Sequence, residues 1–431
     1  MIMKRNMRNR IIELEIERLD EKGRGVGKFN NKEIKVYFAV PGDKIKAKLY
    51  YRKGLRGEIF EILEESKLRT KPKCKYFGRC GGCKWQNIRY KEQLKIKQEI
   101  AENLFENSKE VIPAKSEFHY RNRMDFVYWK DFKLGLREPE RYNKVIDIDE
   151  CLLISKECNK LLSEAREFLK EEKIEPYNVK TRRGLLRYVI LREGKFTKDR
   201  MIIFLTSESE FPEIFKFRPR LNSEIIWSKT SSLADISYGE SYEVVKGKSY
   251  IEEKLCGFRF RIYPNVFFQT NSEQAEVLFK KILEICDLNS KLKVLDLYCG
   301  TGVIGIILAE HVREVIGVEA NKEAVEAAKL NAKENGVKNI KFIAAKAEDL
   351  SLKEKFDLVI VDPPRPGLGK RVIKLLKEIS PREICYVSCN PYSQKRDIDL
   401  LRDHYSIEEV QPIDMFPHTP HLESIVVLKR R

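Results

Sequence analysis

Near the C-terminal end, two side chains carry a chemical signal. Cys389 ends the apolar run of VSCNP, and Glu423 opens the last apolar run in PHTPHLESIVVL. A Cys thiolate is strongly nucleophilic and can also depart. At the carboxyl end of a parallel strand it is therefore a candidate nucleophile. Free Cys is otherwise most often buried filler, and Cys385, four residues earlier, has that pattern. A carboxylate at a strand start can act as a general base; the plainer reading of Glu423 is a solvated loop residue. His418 and His421 stand three apart in a loop with prolines, a spacing that favours positioning over metal binding. Upstream, DLVIV ends in Asp362-Pro363-Pro364. Two prolines can hold that carboxylate in the cleft beyond the sheet, or simply stop the strand.

The turn CGTGVIG places Gly300, Gly302 and Gly305 in the pattern G-x-G-x-x-G, after a strand and before a helix. That spacing alone serves NAD, FAD and S-adenosylmethionine (SAM) alike. Glu319 ends the next strand, where a carboxylate can accept hydrogen bonds from both ribose hydroxyls. Asp296, four residues before the first glycine, separates the cofactors. An NAD site normally has an apolar strand there, whereas a SAM site favours an acid. With Asp362 closing the fourth strand, the combination favours a methyltransferase.

Cys74, Cys80 and Cys83 form C-x5-C-x2-C within KCKYFGRCGGCKWQ. In a cytosolic chain such spacing reads as a metal site rather than as disulfides. Zinc and iron–sulfur sites both use C-x2-C pairs, and the spacing leaves the two even. It is not the C-x3-C-x2-C of radical-SAM enzymes. In FHYRNRMDF, Arg121 and Arg123 could contact phosphate or a target base, or lie in a salt-bridged strand.

The chain has 431 residues, 83 Lys/Arg and 66 Asp/Glu, for a formal net charge of +17. Hydrophobic residues make up 42%, enough for real cores, and wholesale disorder is excluded. Nothing approaches the ~18–20 apolar residues of a membrane span. The basic start, MIMKRNMRNR, has no apolar signal core behind it, so the expected location is cytoplasmic. Residues 1–100 hold 27 Lys/Arg against 13 Asp/Glu. A basic first quarter on a near-neutral body suggests an anionic partner, RNA first, against the plainer reading of a solvated surface.

The elements that position these residues follow from periodicity. Residues 11–65 alternate like short strands between Gly-rich turns, which suits a small OB-type β-barrel. Lys and Arg interleave with Tyr in KIKAKLYYRKGLR, as on a face that touches RNA. Helical periodicity covers 90–108, and 117–262 is a mixed α+β stretch. From 291 strands alternate with helices, the mark of an α/β, doubly wound, mostly parallel Rossmann-like sheet.

DPPRPGL, SCNP and PHTPHLES, in this order after a SAM-type turn, resemble the RNA uracil-C5 methyltransferase family, which modifies ribosomal and transfer RNA. The resemblance covers nearly the whole chain. GRGVGK and VPGDKIKAKL are similar to the TRAM domain, an OB-like RNA-binding module, and the middle is similar to the family's central iron–sulfur domain. It implies a TRAM domain over 1–67, a central cluster domain over 68–262 and a catalytic domain over 263–431, with helix 90–108 packing on the last. By resemblance Cys389 is the nucleophile and Glu423 the proton acceptor. Gln269, Tyr298, Gly300, Gly302, Glu319 and Asp362 contact SAM. Cys151, in IDIDECLLI, joins Cys74, Cys80 and Cys83 around a structural 4Fe–4S cluster, with zinc as the alternative. Val303 and Lys346 depart from residues that members carry at those places.

The chemistry explains the residues independently. Uracil C5 is too weak a nucleophile to attack SAM directly. Thiolate addition at C6 concentrates electron density on C5, which can then take the methyl group. A base removes the C5 proton and the thiolate leaves by elimination. The uridine must leave its stack, in a structured ribosomal or transfer RNA. Phe267 or Phe268 could pack on it, or be core aromatics. No protein partner is implied, and a monomer is expected. An NAD-dependent oxidoreductase would leave SCNP and HLES unused, and a non-catalytic RNA-binding protein with a structural metal would leave the SAM turn unused.

Overall fold

Alternation of apolar and charged residues builds the first strands. In the computed structural model, which describes residues 9–52, 54–351 and 354–431, they are β1 (Ile11–Glu15), β2 (Arg18–Leu19), β3 (Gly25–Phe29), β4 (Lys32–Val36), β5 (Lys44–Tyr51) and β6 (Leu55–Glu64). Most of the basic start, Met1–Arg8, lies outside the described residues. Sheet order is β1-β5-β6-β4-β3-β2. Ile45, Ala47 and Leu49 of β5 point inward with Ile12, Leu14, Ile34 and Val36, while Lys44, Lys46 and Lys48 alternate with them. The short parallel contact Val36↔Gly57 brings β4 against β6. Only glycine fits there, because a Cβ at Gly57 would stand 2.9 Å from Val36 Cγ2. Asp43 is buried and locks the chain's exit from the barrel. It accepts from Val40 N at 2.6 Å, Ser66 N at 3.0 Å and both Arg69 Nε and Nη2 at 2.7 Å.

The described chain divides into two units. The first takes the residues up to Lys97 together with Leu136–Ile148 and Phe416–Pro420. The second takes Gln98–Gly135, Asp149–Met415 and His421–Arg431. The helix expected over 90–108 runs Tyr90–Leu104; Asn107, at φ +57°, bends the chain out of the helix just beyond it. Within the first unit the Phe416–Pro420 segment is gripped by Gln93. Its Nε2 lies 3.1 Å from His418 Nδ1, and its Oε1 accepts from His418 N at 2.9 Å.

The central stretch, whose topology periodicity left open, folds into strands β7 (Arg123–Trp129), β8 (Lys133–Glu138), β9 (Arg141–Asp147), β10 (Leu186–Glu193), β11 (Arg200–Thr206), β12 (Glu224–Lys229) and β13 (Ser241–Lys246). Their order is β13-β12-β11-β10-β7-β8-β9. Every residue of β10 is buried, as befits a strand covered on both faces. A small hairpin, β14 (Ile251–Leu255) and β15 (Phe258–Ile262), leads toward the last sheet.

That sheet contains β16 (Lys293–Leu297), β17 (Glu314–Glu319), β18 (Ile340–Ala344), β19 (Leu358–Val361), β20 (Glu383–Ser388), β21 (Tyr405–Ile413) and β22 (Glu423–Arg430), in the order β18-β17-β16-β19-β20-β22-β21. The first five are parallel, and β22 runs antiparallel to both of its neighbours, β20 and β21. This is the α/β doubly wound architecture expected from the strand–helix alternation. Its core includes Leu295, Val318, Val359, Val361, Ile384 and Val426, all at most 1% exposed. Strand order reverses beside β16, so the carboxyl ends of β16, β17, β19 and β20 line one crevice. Among the described residues no helix is long and apolar enough to cross a membrane.

Candidate active site

The turn after β16 is built around two residues in left-handed backbone, Gly300 at φ +56° and Gly302 at φ +80°. At Gly302 a Cβ would stand 2.7 Å from Phe342 Cζ, so glycine is required for both conformation and space. At Gly300 a Cβ would meet nothing within 4 Å, which leaves the backbone open toward a ligand. Gly300 N donates to Glu319 Oε2 at 3.2 Å, and Asn321 N donates to Oε1 at 2.7 Å. The carboxylate is thereby fixed at the end of β17 with lone pairs to spare for two ribose hydroxyls. Tyr298, also left-handed at φ +64°, packs on the sheet core; burial and the Glu348 carboxylate raise its hydroxyl pKa.

Asp296 is fully buried inside β16, and neither oxygen has a hydrogen-bond partner of ordinary geometry. Burial, and then the neighbouring Asp362, push its carboxyl up to about 8; the Gly305 amide pulls weakly the other way. A Cβ at Gly305 would stand 3.1 Å from Asp296 Oδ2, so the third glycine makes room for this acid.

Asp362 follows β19 directly. Burial pushes its carboxyl up to about 7, opposed by a hydrogen bond from Gln269 Nε2 at 3.2 Å. Gln269 is itself held by Asn122, whose Nδ2 donates to Gln269 O at 2.8 Å and to Ser272 Oγ at 2.9 Å. The preceding turn is fixed by buried Arg192, whose Nη1 donates to the carbonyls of Tyr263, Pro264 and Val266.

The antiparallel pairing of β20 with β22 sets Ser388 opposite Ser424. The ladder ends at that pair: Cys389 follows Ser388 and Glu423 precedes Ser424, near enough for the Glu423 carboxylate to act on the thiol. Burial pushes the Cys389 thiol up to about 12. Glu423 adds to this, Arg365 opposes it, and Asp362 adds a smaller upward push. Glu423 is 2% exposed, and burial followed by Asp362 raises its pKa well above the carboxylate range. Arg365 Nη2 lies 3.1 Å from His421 Nδ1, and Asn390 Nδ2 donates to the Arg365 carbonyl at 3.0 Å. The site thus joins a thiol, two carboxyls of raised pKa and one cation. Cys385 is fully buried inside β20, as filler should be.

Other sequence candidates fall differently. Arg123 pairs with Asp125 at 2.9 Å, the salt-bridged alternative. Arg121 is half-buried, its Nε donating to Arg123 O at 3.3 Å. Phe268 is buried near Phe260, with ring centroids 6.4 Å apart, whereas Phe267 is 64% exposed. Sequence reasoning missed two residues. Asn122 stood between the two arginines that drew notice, and Arg365 lies within the quoted DPPRPGL itself.

In the first unit the Cys74–Cys83 loop turns back on itself through Cys80 N donating to Tyr76 O at 2.9 Å. Cys80 Sγ accepts from Gly82 N and Cys83 Sγ from Gln86 Nε2, both at 3.3 Å. Donors of this kind favour the thiolate form that a metal requires. Among the described residues, no group of three or more His, Cys, Asp or Glu is arranged to hold a metal ion.

Residues 288–390 match the family model described as a methyltransferase domain, and residues 350–431 match the model for tRNA (uracil-5-)-methyltransferase. The chain is 40% identical to a tRNA (uracil(54)-C(5))-methyltransferase of Pyrococcus abyssi, covering 96% of this chain and 99% of that one. A Pyrococcus horikoshii protein of the same description is 41% identical, covering 94% and 97%. The crystal structure of the Pyrococcus abyssi tRNA (uracil-54, C5)-methyltransferase with S-adenosyl-L-homocysteine superposes with a TM-score of 0.83 at 38% identity, over 96% of this chain and 99% of that one. On this ground the chain belongs to the RNA (uracil-C5)-methyltransferase family.

Proposed function

We propose that this chain forms 5-methyluridine in transfer RNA, at the uridine equivalent to position 54, with Cys389 as nucleophile and Glu423 as proton acceptor. The observation that supports the reading is the register pair Ser388–Ser424, which Cys389 follows and Glu423 precedes, with Glu423 and Asp362 both acting on the Cys389 thiol. The transfer-RNA substrate rests on the names of relatives 39–41% identical to this chain.

Cys389 Sγ adds to C6 of a flipped-out uracil. Arg365 favours the thiolate this requires, and Asp362 ceases to oppose it when it holds a proton, while Glu423 must be the free carboxylate when it acts as base. SAM supplies an electrophilic methyl group to C5 and leaves as its thioether. Glu423 then takes the C5 proton, which its raised pKa suits it to hold, and the C5–H electrons expel the thiolate. Gly300, Gly302, Glu319, Tyr298 and Gln269 bind and orient the donor. Asp362, tied to Gln269, lies between the donor's residues and Cys389. Of Phe267 and Phe268, Phe267 is the exposed one and the candidate for contact with RNA; Arg121 is a second candidate.

Cys74, Cys80 and Cys83, with Cys151 as the fourth ligand that the family resemblance supplies, would hold a structural 4Fe–4S cluster. The N–H donors on two of the sulfurs support thiolate ligation. Iron and acid-labile sulfide in protein purified without oxygen are the expected result, and zinc with neither would replace the cluster reading.

The deciding experiment incubates the protein with methyl-labelled SAM and transfer RNA lacking 5-methyluridine, then digests the RNA to nucleosides for mass analysis. Labelled 5-methyluridine at position 54 is expected. Label in ribosomal RNA alone would move the substrate class, and label on another base would reject the mechanism.

A further inference from the structure

Within the first unit lies a cleft of about 480 Å³ that the methyl-transfer chemistry does not use. Its walls are Tyr37 just beyond β4, Arg52 just beyond β5, Arg56 of β6 and the facing ends of β8 and β9 between Arg137 and Tyr142, together with Lys22. The volume falls within the roughly 300–1,000 Å³ of small-molecule sites.

We propose that this cleft takes one unstacked nucleotide of the RNA substrate, its base lying on Tyr142 and its phosphate held by Arg52 and Lys22. The inference rests on the reading that RNA is the substrate, and it adds a second point of grip outside the catalytic crevice.

Charge bookkeeping selects an anion. Both carboxylates of the lining have cationic partners, with Glu140 Oε2 alone left without a hydrogen bond or a close ion pair. Glu140 Oε1 accepts from Arg24 Nη1 at 3.0 Å and from the Tyr37 hydroxyl at 3.3 Å. Glu138 is bridged by Arg141 at 2.9 Å and Lys144 at 2.5 Å. Arg52 and Lys22 belong to no ion pair among the described residues, and Arg56 reaches Glu140 only at 4.0 Å. Cationic side chains therefore remain in excess, as a phosphodiester needs.

The aromatic component selects a base. Tyr142 is 75% exposed, which is costly for a ring with no use in packing. Its backbone is nonetheless pinned, since Arg137 Nη1 donates to the Tyr142 carbonyl. The turn that presents it is fixed by Glu140 in left-handed backbone at φ +57°. A rigidly mounted, solvent-facing ring beside guanidinium groups is the arrangement that stacks single-stranded bases. The Cys74–Cys83 loop braces the same turn, with Gly81 N donating to Arg137 O at 2.9 Å. A Cβ at Gly81 would stand 2.8 Å from that oxygen.

The test measures the affinity of the full chain for an unmodified transfer RNA transcript, by fluorescence anisotropy across a salt series, alongside methyl transfer to the same RNA. Tyr142→Ala is expected to weaken binding about tenfold, the scale of one lost stacking contact, and Tyr142→Phe to restore it. Arg52→Ala should weaken binding and lower the slope of log affinity against log salt by about one. Phe60→Ala removes another exposed ring of the barrel outside the cleft, 61% exposed, and should bind as the parent does. Turnover at saturating RNA should be unchanged in all four. Parent-like binding by Tyr142→Ala overturns the proposal. So does loss confined to Arg52→Ala, the signature of a purely ionic surface, or an equal loss in Phe60→Ala. Failure of the parent chain to methylate transfer RNA would instead remove the reading beneath it.

Discussion

Ser388 and Ser424 are register partners, the Cys389 thiol following one and the Glu423 carboxyl preceding the other. One antiparallel rung thus sets the placement of the two groups proposed as nucleophile and base. Since side-chain direction alternates along a strand, a one-residue slip of β22 would turn Glu423 to the other face.

The two roles separate in variants. Cys389→Ala should lower methyl transfer by at least ~10³-fold while keeping the fold and SAM binding. Glu423→Gln should still allow addition and methylation but not proton removal. A methylated RNA–protein adduct that survives denaturing electrophoresis is its expected product. Fast turnover by Glu423→Gln with no adduct would assign the base elsewhere.

Arg365 is the cation that draws the Cys389 thiol down against burial and two carboxyls. Arg365→Met should raise the thiol pKa further. Each unit costs about tenfold in thiolate at a given pH, so the rise in methylation with pH should shift to higher pH. Alkylation of Cys389 by iodoacetamide, followed by peptide mass analysis across pH, reads the same shift without turnover.

Gly302→Ala should destabilise the second unit by about 1–3 kcal/mol, because the methyl group meets Phe342 in a backbone conformation that alanine resists. Urea unfolding with and without S-adenosylhomocysteine is the measurement, and the stabilisation by ligand should also shrink.

Asp296 gives a pH signature. Its folded carboxyl is raised to about 8 from an ordinary value of 3.8. Between those values the folded chain holds a proton that the unfolded chain has lost, so this group's contribution falls as pH rises through that window. Below it the two states bind equally. Asp296→Asn, which cannot ionise, should flatten the decline in urea midpoint between about pH 5 and pH 8. A decline as steep as in the parent would place the raised group elsewhere.

The catalytic sheet was legible because parallel strands covered on both faces read as continuous apolar runs, VLDL and LVIV among them, each closed by a glycine or proline signal. Cys389, Glu423, Asp362 and Glu319 could be placed at strand ends because strand ends are visible in a sequence, and each stands at one in the structure. Asn122 and Arg365 were not, because their roles exist only through distant partners: Asn122 reaches Gln269 across 147 positions. The seven-stranded central sheet escaped for the same reason. Its order joins β10 to β7 and β11 to β12 through registers that local periodicity does not encode.

Phe416–Pro420 belongs to the first unit, while Met415 and His421, the residues on either side, belong to the second. The backbone therefore passes between units at 97/98, 135/136, 148/149, 415/416 and 420/421. Two modules strung on a single linker can be lost, swapped or borrowed by one recombination event; these two cannot. Any gene fragment ending before residue 416 forfeits part of the first unit, and any fragment starting after residue 97 forfeits most of it. The two units are thereby inherited together, and new properties have to arise by substitution within the whole rather than by exchange of parts.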